Sequence, residues 1–325
     1  MVYSGKRPRR CRASVLIRQM IAETRWSVDS LIQPYFVTDR PGIRLGVPGM
    51  PGVFRESVDE FLAELEEDIK LGIRRIMLFG VTERKSADAA FSYAVENPVA
   101  AAIREIRRRY GHDVFVSADV CLCAYTDHGH CGLVIDGQID NDQTLPVLGR
   151  MAVALGDAGV DWVGPSDMMD GRAGAIRRAL DQAGHVDVGI LAYTAKYASN
   201  YYGPFRDAAA SAPQFGDRRS YQMDFRNRRE ARLELALDEL EQADCVMVKP
   251  ALAYLDVIAD FARSTTLPVA AYNVSGEYAA VKLLAQAGFA NEAALVIENL
   301  TAIFRAGAQI VLTYHLRDIL KNKWV

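Results

Sequence analysis

The sequence predicts an α/β protein built as a single (β/α)8 TIM barrel, and three observations predict it. Eight apolar runs have the length of buried strands, stretches of helical period separate them, and several helix-to-strand junctions repeat a small-residue turn ending in Gly. One barrel fits the 325 residues without a second domain. Half the residues are hydrophobic and 24% are charged, which suits a globular chain with a large core.

Residues 1–30 precede the first strand and form an N-terminal arm. Its run of Lys6, Arg7, Arg9, Arg10 and Arg12 can serve as a nucleic-acid arm, a solvated tail or an extension packed on a neighbouring subunit. The net charge of -3 supplies no general attraction to nucleic acid or to an anionic membrane, so a small-molecule partner is expected, and the arm reads as a subunit extension or a solvated tail more than as a nucleic-acid arm. Met1 to Trp26 has no apolar core of the signal-peptide kind, and no uncharged run approaches the ~18 residues that a membrane-spanning helix needs. Five cysteines, an odd number, do not suit a secreted disulfide framework, and a reducing cytoplasm is the expected compartment.

The barrel, expected over residues 31–325, opens with the strand Leu31–Val37. The stretch Gly42–Gly52 (GIRLGVPGMPG) reads as a loop, because its prolines and spacing do not match the glycine fingerprint of a dinucleotide-binding sheet. The helix Ser57–Leu71 follows. Next come the strands Arg75–Val81, Val114–Val120 and Asp161–Ser166, with helices at Pro98–Tyr110, Leu145–Ala158 and Ala173–Ala183. The fifth strand, Val188–Lys196, leads into Tyr197–Gln222, a stretch of little periodicity and too long for an ordinary connection, as lids are. The helix Arg228–Glu241, the strand Cys245–Pro250, the helix Leu255–Arg263 and the strand Pro268–Ser275 come next. Helices at Glu277–Gln286 and Glu292–Arg305 and the strand Gln309–Tyr314 complete the series. Gly72, Gly159 and Gly307 stand where helix C-caps are needed.

Reactive groups of such a barrel stand at the C-terminal ends of its strands. Arginine outnumbers lysine 30 to 8, so a lysine ending an apolar strand is conspicuous, and Lys196 and Lys249 end adjacent ones. One such lysine can simply snorkel outward. Two in a poorly solvated mouth depress each other's pKa and favour a neutral amine, which forms a Schiff base with a ketone or aldehyde. The third strand runs through Asp119 into Cys121, Cys123 and Cys131, three thiols whose spacing suits a catalytic zinc rather than a four-ligand finger. His130 reads as a supporting residue more than a fourth ligand, and Cys11 and Cys245 as packing residues. Tyr202, Phe205, Arg206, Arg218 and Gln222 lie on the lid, Ser166 and Asp167 close the fourth strand, and Ser275 and Tyr314 end the seventh and eighth. Arg206 and Arg218 can present planar forks to a carboxylate.

With these features on successive strands, the chain closely resembles the porphobilinogen synthase (5-aminolevulinate dehydratase) family, through LIQPYFV, MPGVFR, DVCLCAYTDHGHCG, PSDMMDGR, YTAKYAS, YYGPFRDA, FGDRRSYQMD, VMVKPA, YNVSGEY and LTYH. The resemblance implies condensation of two molecules of 5-aminolevulinate to porphobilinogen with loss of two waters, in haem and other tetrapyrrole synthesis. It assigns Lys249 to the Schiff base, with Ser275 and Tyr314 at the first carboxylate. Lys196 falls at the second substrate site, with Arg206, Arg218 and Gln222 at its carboxylate and Tyr202, Phe205 and Ser166 in the lining. Asp119 becomes a proton-transfer group and the three cysteines ligands of a zinc acting as Lewis acid. The resemblance further implies an octamer embraced by the arm, and an allosteric magnesium on Glu234, which a solvent-facing Glu on a helix does not otherwise need. Phe225-Arg226, Gly164, Leu191-Ala192, His315 and the Thr82–Glu96 connection depart from the family pattern without removing a reactive group. Another Schiff-base barrel, such as an aldolase, would use one lysine and have no need of three thiols. A zinc-binding barrel without catalysis and a synthase of a specialised pathway are the remaining alternatives.

Overall fold

A computed structural model describes residues 5–209 and 211–325; the first four residues of the expected arm and residue 210 of the expected lid lie outside the described residues. The arm carries a short helix, α1 (Val15–Met20), capped by Ser14. It is fastened to the barrel where the Trp26 ring stacks on Phe304 at 5.6 Å and its indole N–H donates to Thr301 at 3.0 Å.

The chain then runs β1 (Leu31–Thr38), β2 (Arg44–Gly46), β3 (Phe54–Ser57), α2 (Val58–Leu71), β4 (Arg75–Val81), α3 (Pro98–Tyr110) and β5 (Phe115–Val120). It continues with β6 (Leu133–Ile135), β7 (Gln138–Asp140), α4 (Asn141–Ala158), β8 (Trp162–Pro165), α5 (Arg172–Gln182) and β9 (Gly189–Lys196). The last elements are α6 (Gly203–Ala208), α7 (Glu230–Leu240), β10 (Cys245–Lys249), α8 (Leu255–Ser264), β11 (Val269–Asn273), α9 (Ser275–Gln286), α10 (Glu292–Ala306), β12 (Ile310–Thr313) and α11 (Leu316–Lys321). Eight strands pair in parallel in the order β1, β4, β5, β8, β9, β10, β11, β12, and the pairs Leu31↔Val311 and Ile32↔Leu312 close the barrel. Among the described residues no helix is long and apolar enough to cross a membrane.

Successive side chains of a strand face opposite sides. On β1, Ile32 and Phe36 join the barrel interior with Met77, Phe79, Tyr193, Met247, Tyr272 and Leu312, while Leu31, Tyr35 and Val37 pack outward under the helices. Both faces are thus buried, which is why the strands read as continuous apolar runs.

The register between β9 and β10 has one irregularity that bears on the site. Val246 pairs with Ala192 and Val248 with Ala195, so β9 carries one extra residue opposite Met247. Leu191 and Tyr193 face inward and Ala192 and Ala195 outward. Without the bulge, strict alternation would turn Lys196 outward; with it, Lys196 comes into register with Lys249 at the mouth.

Several expectations need correction. Gly42–Gly52 is not wholly loop, since Arg44–Gly46 pairs antiparallel with β3. The two helices expected between the last two strands are present as α9 and α10, but the short α11 after β12 lies outside the expected series. The hairpin β6–β7 escaped the strand series although Asp136-Gly137 between alternating apolar residues is a strong turn signal; both residues take positive φ, 50° and 77°. Cys11 is exposed in a 3-10 turn of the arm with no core to pack on, whereas Cys245 is buried.

Gly72, Gly159 and Gly307 are left-handed C-caps of α2, α4 and α10, as expected. A Cβ at Gly72 would meet nothing within 4 Å, but at Gly307 it would lie 2.4 Å from the Ala262 Cβ. Gly72→Ala is therefore expected to cost the backbone strain alone, ~1–2 kcal/mol, and Gly307→Ala about 1–3 kcal/mol more for the overlap. Denaturant midpoints of the two variants measure the difference.

Candidate active site

The C-terminal ends of the eight barrel strands converge on one mouth, and the segment after β9 closes it. Lys249 and Lys196 are 3% and 5% exposed. The base of the lid is clamped to these two strand ends: Tyr197 N–H donates to the Lys249 carbonyl at 3.0 Å, Met223 N–H to the Lys196 carbonyl at 3.1 Å, and Ala198 N–H to Met223 at 2.8 Å. Beneath α6 the remaining cavity, lined by Phe79, Asp119, Cys121, Cys123 and Phe205 among others, is about 10 Å³, no more than one water occupies. As closed, the mouth leaves no room for a substrate.

Burial pushes the Lys249 amine well below its ordinary pKa, and the neighbouring Lys196 pushes it the same way. Lys196 donates to the Ser166 carbonyl. Asp119 faces the internal cavity at the end of β5, and burial raises its carboxyl to about 7, against the attraction of Lys196. The Cys123 thiol raises it further, whereas the Ser166 hydroxyl favours its charge. One of its oxygens has no partner among the described residues. A carboxyl that titrates near neutrality can both take and return a proton.

The Cys121, Cys123 and Cys131 sulfurs lie within 4.8 Å of one another, all buried, with Cys121 and Cys123 at 3.4 Å. Hydrogen bonds from Cys121 and Cys131 draw the Cys123 thiol well below its ordinary pKa, as a thiolate among thiols. Three soft donors converging on one point fit a zinc-type ion and leave a position for another ligand. His130 is not one of them. Its Nε2–H donates to the Phe215 carbonyl at 2.9 Å, which leaves Nδ1 to accept from Tyr221 Oη at 3.1 Å. Tyr221 in turn accepts from the Cys131 N–H at 3.4 Å. His130 therefore joins the cysteine loop to the lid. A second donor group, Glu292, His315 and Asp318, already holds the Lys282 ammonium, at 2.5 Å from Glu292 and 2.6 Å from Asp318.

The lid carries unpaired polar atoms into the interior. Both side-chain atoms of Gln222 and the Nε atoms of Arg206 and Arg218 are buried without partners among the described residues. Arg218 donates to the carbonyls of Gly129 and Ser211. Burial works against its charge, but the Cys131 and Cys123 thiols favour it, while burial and Arg218 itself lower the pKa of Arg206. Two guanidinium groups, one buried and one half-buried, and a free buried amide can receive an anion.

On the other side Ser275 opens α9 instead of ending a strand. Its hydroxyl accepts from Phe205 N–H at 3.1 Å and donates to the Tyr201 carbonyl at 3.3 Å, and Tyr314 shares a 2.9 Å hydrogen bond with Tyr272. Tyr202 donates to the Lys249 carbonyl at 3.1 Å. Glu234 stands apart, half-buried on α7 beside a groove of about 970 Å³. Burial raises its carboxyl to about 7, opposed by Arg172 and reinforced by Asp238, Asp170 and Glu230.

Sequence reasoning missed Tyr193 and Tyr272, inward-facing strand residues beside Lys249, and the Tyr221–His130 link. It also missed two glycines on which the lid is bedded. A Cβ at Gly276 would lie 2.6 Å from the Tyr201 carbonyl oxygen, and one at Gly129, where φ is +73°, would lie 2.4 Å from that of Ala212.

The sequence pattern of the delta-aminolevulinic acid dehydratase family matches residues 5–322. The chain is 48% identical over 316 residues to the delta-aminolevulinic acid dehydratase of Halalkalibacterium halodurans, covering 97% of this chain and 96% of that one. It is 47% identical over 321 residues to that of Bacillus subtilis, covering 99% of each. The crystal structure of the Toxoplasma gondii ME49 enzyme, delta-aminolevulinic acid dehydratase (porphobilinogen synthase) in complex with the reaction product porphobilinogen, superposes with a TM-score of 0.94 at 44% identity, covering 97% of this chain and 91% of that one.

Gly129→Ala is expected to leave the barrel folded and the lid unseated. Amide exchange within residues 211–222 should rise at least about tenfold while the barrel strands keep their protection; equal protection in the variant would show that the close approach at Gly129 does not hold the lid.

Proposed function

The chain belongs to the delta-aminolevulinic acid dehydratase family, and from that premise we propose that it condenses two molecules of 5-aminolevulinate into porphobilinogen, releasing two waters, through a Schiff base on Lys249. The observation that carries the reading is the register pair Lys196↔Lys249 inside a dry mouth beside the three-thiol cluster. An aldolase using one lysine has no use for the second amine or for the thiols.

The first substrate presents its ketone to Lys249, whose depressed pKa supplies the neutral amine that attacks the carbonyl carbon. Ser275 and Tyr314 turn their hydroxyls from Tyr201 and Tyr272 to that substrate's carboxylate. Lys196 addresses the second substrate, whose carboxylate meets Arg206, Arg218 and Gln222 and satisfies the atoms otherwise left without partners. Phe205 and Tyr202 cover the pair from the lid, and the Ser166 carbonyl fixes the direction of Lys196. Asp119, titrating near neutrality, moves protons between the reacting carbon and nitrogen atoms.

Cys121, Cys123 and Cys131 would hold zinc, which when bound supplies a Lewis acid beside the second substrate. Glu234, with Asp170 and Glu230 nearby, would hold a magnesium of allosteric effect, since a carboxyl raised by burial and then by its acidic neighbours gains from a cation. The expected octamer draws support from apolar side chains left on the surface, Val15, Leu16 and Met20 on α1 and Leu233, Leu237 and Leu240 on α7. A reducing cytoplasm suits a site that depends on free thiols.

Borohydride reduction in the presence of 5-aminolevulinate is expected to fix the adduct on Lys249, located by peptide mapping, and to leave Lys249→Ala without it. An adduct elsewhere would overturn the assignment. Cys123→Ala is expected to lose its bound zinc and to slow pyrrole formation by ~10²-fold or more, with the metal read by elemental analysis and the product by Ehrlich's reagent.

A further inference from the structure

The Lys249 Nζ is surrounded by aromatic faces. Ring centroids lie 4.3 Å away for Tyr272, 4.8 Å for Phe205, 5.0 Å for Tyr193 and 5.5 Å for Tyr202. The four rings come from β11, α6, β9 and the turn before α6. All four distances are within the reach of a cation–π contact. No carbonyl or carboxylate among the described residues accepts a hydrogen bond from this nitrogen.

A π face differs from a carboxylate in one respect that matters here. It attracts a positive charge, yet it is too weak a base to take the proton, so it stabilises a cation without tying up the lone pair of the neutral amine. Burial and Lys196 disfavour the compact, strongly hydrated ammonium. An iminium has fewer N–H groups, spreads its charge over carbon and nitrogen, and loses less when water is excluded.

We propose that Tyr193, Tyr202, Phe205 and Tyr272 form a cation box whose task is to hold the protonated imine on Lys249, with Tyr272 as its principal wall. This inference rests on the assignment of the Schiff base to Lys249. In the step concerned the Nζ lone pair forms the C–N bond while the carbonyl pair moves to oxygen. The oxygen then leaves as water, so that amine, ketone and one proton give iminium and water. Tyr272 and Tyr193 are fixed strand residues, whereas Phe205 and Tyr202 arrive with the lid. The box is therefore complete only when the mouth is shut. The other groups facing Lys249 are Lys196, Asp119, Cys121 and Cys123.

The test uses the metal-loaded enzyme and levulinate, the same keto acid without its amino group, which can form the imine but cannot close a pyrrole. Cyanoborohydride trapping is followed by mass mapping across a pH series for the wild type, Tyr272→Phe, Tyr272→Leu and Phe205→Leu. Tyr272→Phe should keep the wild-type pH of half-maximal trapping, because the ring remains, whatever the loss of its hydrogen bond to Tyr314 does to the amount of adduct. In Tyr272→Leu the pH of half-maximal trapping on Lys249 should fall by about one unit, with a tenfold smaller adduct on the alkaline side. Phe205→Leu should shift the same way by less, and it carries the test alone if Tyr272→Leu does not fold. Unchanged profiles in folded leucine variants would overturn the box, as would an equal pH shift in Tyr272→Phe. Absence of a Lys249 adduct in the wild type would overturn the underlying assignment instead, so the two failures are distinct.

Discussion

One extra residue in β9 decides what the mouth of the barrel contains. Inward and outward positions alternate along a strand, and the residue inserted opposite Met247 shifts that phase by one. Tyr193 and Lys196 consequently both face the interior, although they are separated by an odd number of positions. Everything assembled around the two amines follows from this shift: the Lys196 bond to the Ser166 carbonyl, its pull on Asp119 and its push on Lys249. In an unbulged strand Lys196 would point toward the helices, and Lys249 would be one more buried-stem lysine.

The charges gathered there are tolerable only because they oppose one another. Two amines, a carboxyl and three thiols share a space from which the lid excludes water, and in such a medium charges a few ångströms apart interact several-fold more strongly than in bulk. Burial moves Lys249 down and Asp119 up, and the neighbours then modify each: Lys196 lowers both, and the Cys123 thiol raises Asp119. The fold supplies rigidity for this balance through buried ties away from the mouth. Arg172, paired with Asp238 at 3.3 Å, also donates to the Tyr193 carbonyl at 3.1 Å and so holds the strand at its irregular point.

The sequence made the frame and the reactive groups legible for physical reasons. Parallel strands covered on both faces are apolar throughout, helix ends before them require left-handed glycines, and scarce lysines at strand ends stand out against an arginine-rich background. Lys196, Lys249 and the three cysteines could be singled out this way. The bulge could not, because an inserted residue looks like any other in a run such as GILAYTAK. The same holds for Tyr193 and Tyr272, which read as ordinary core aromatics, and for Gly129 and Gly276, whose need for no side chain arises from lid backbone far away in sequence. The link from Cys131 through Tyr221 to His130 joins residues about ninety positions apart, beyond any local pattern.

The way the lid is fastened gives the site an order in time. Its two ends are pinned to the carbonyls of the two lysines, so what swings is the arc between them, bearing Arg206, Arg218 and half of the rings around Lys249. On the proposed assignment, a raised arc would offer one keto acid a lysine on a rigid floor but would offer a second carboxylate no receptacle. The two substrate positions would then differ in sequence of arrival as well as in place. Two identical molecules would be treated differently because the second position would come into existence after the first.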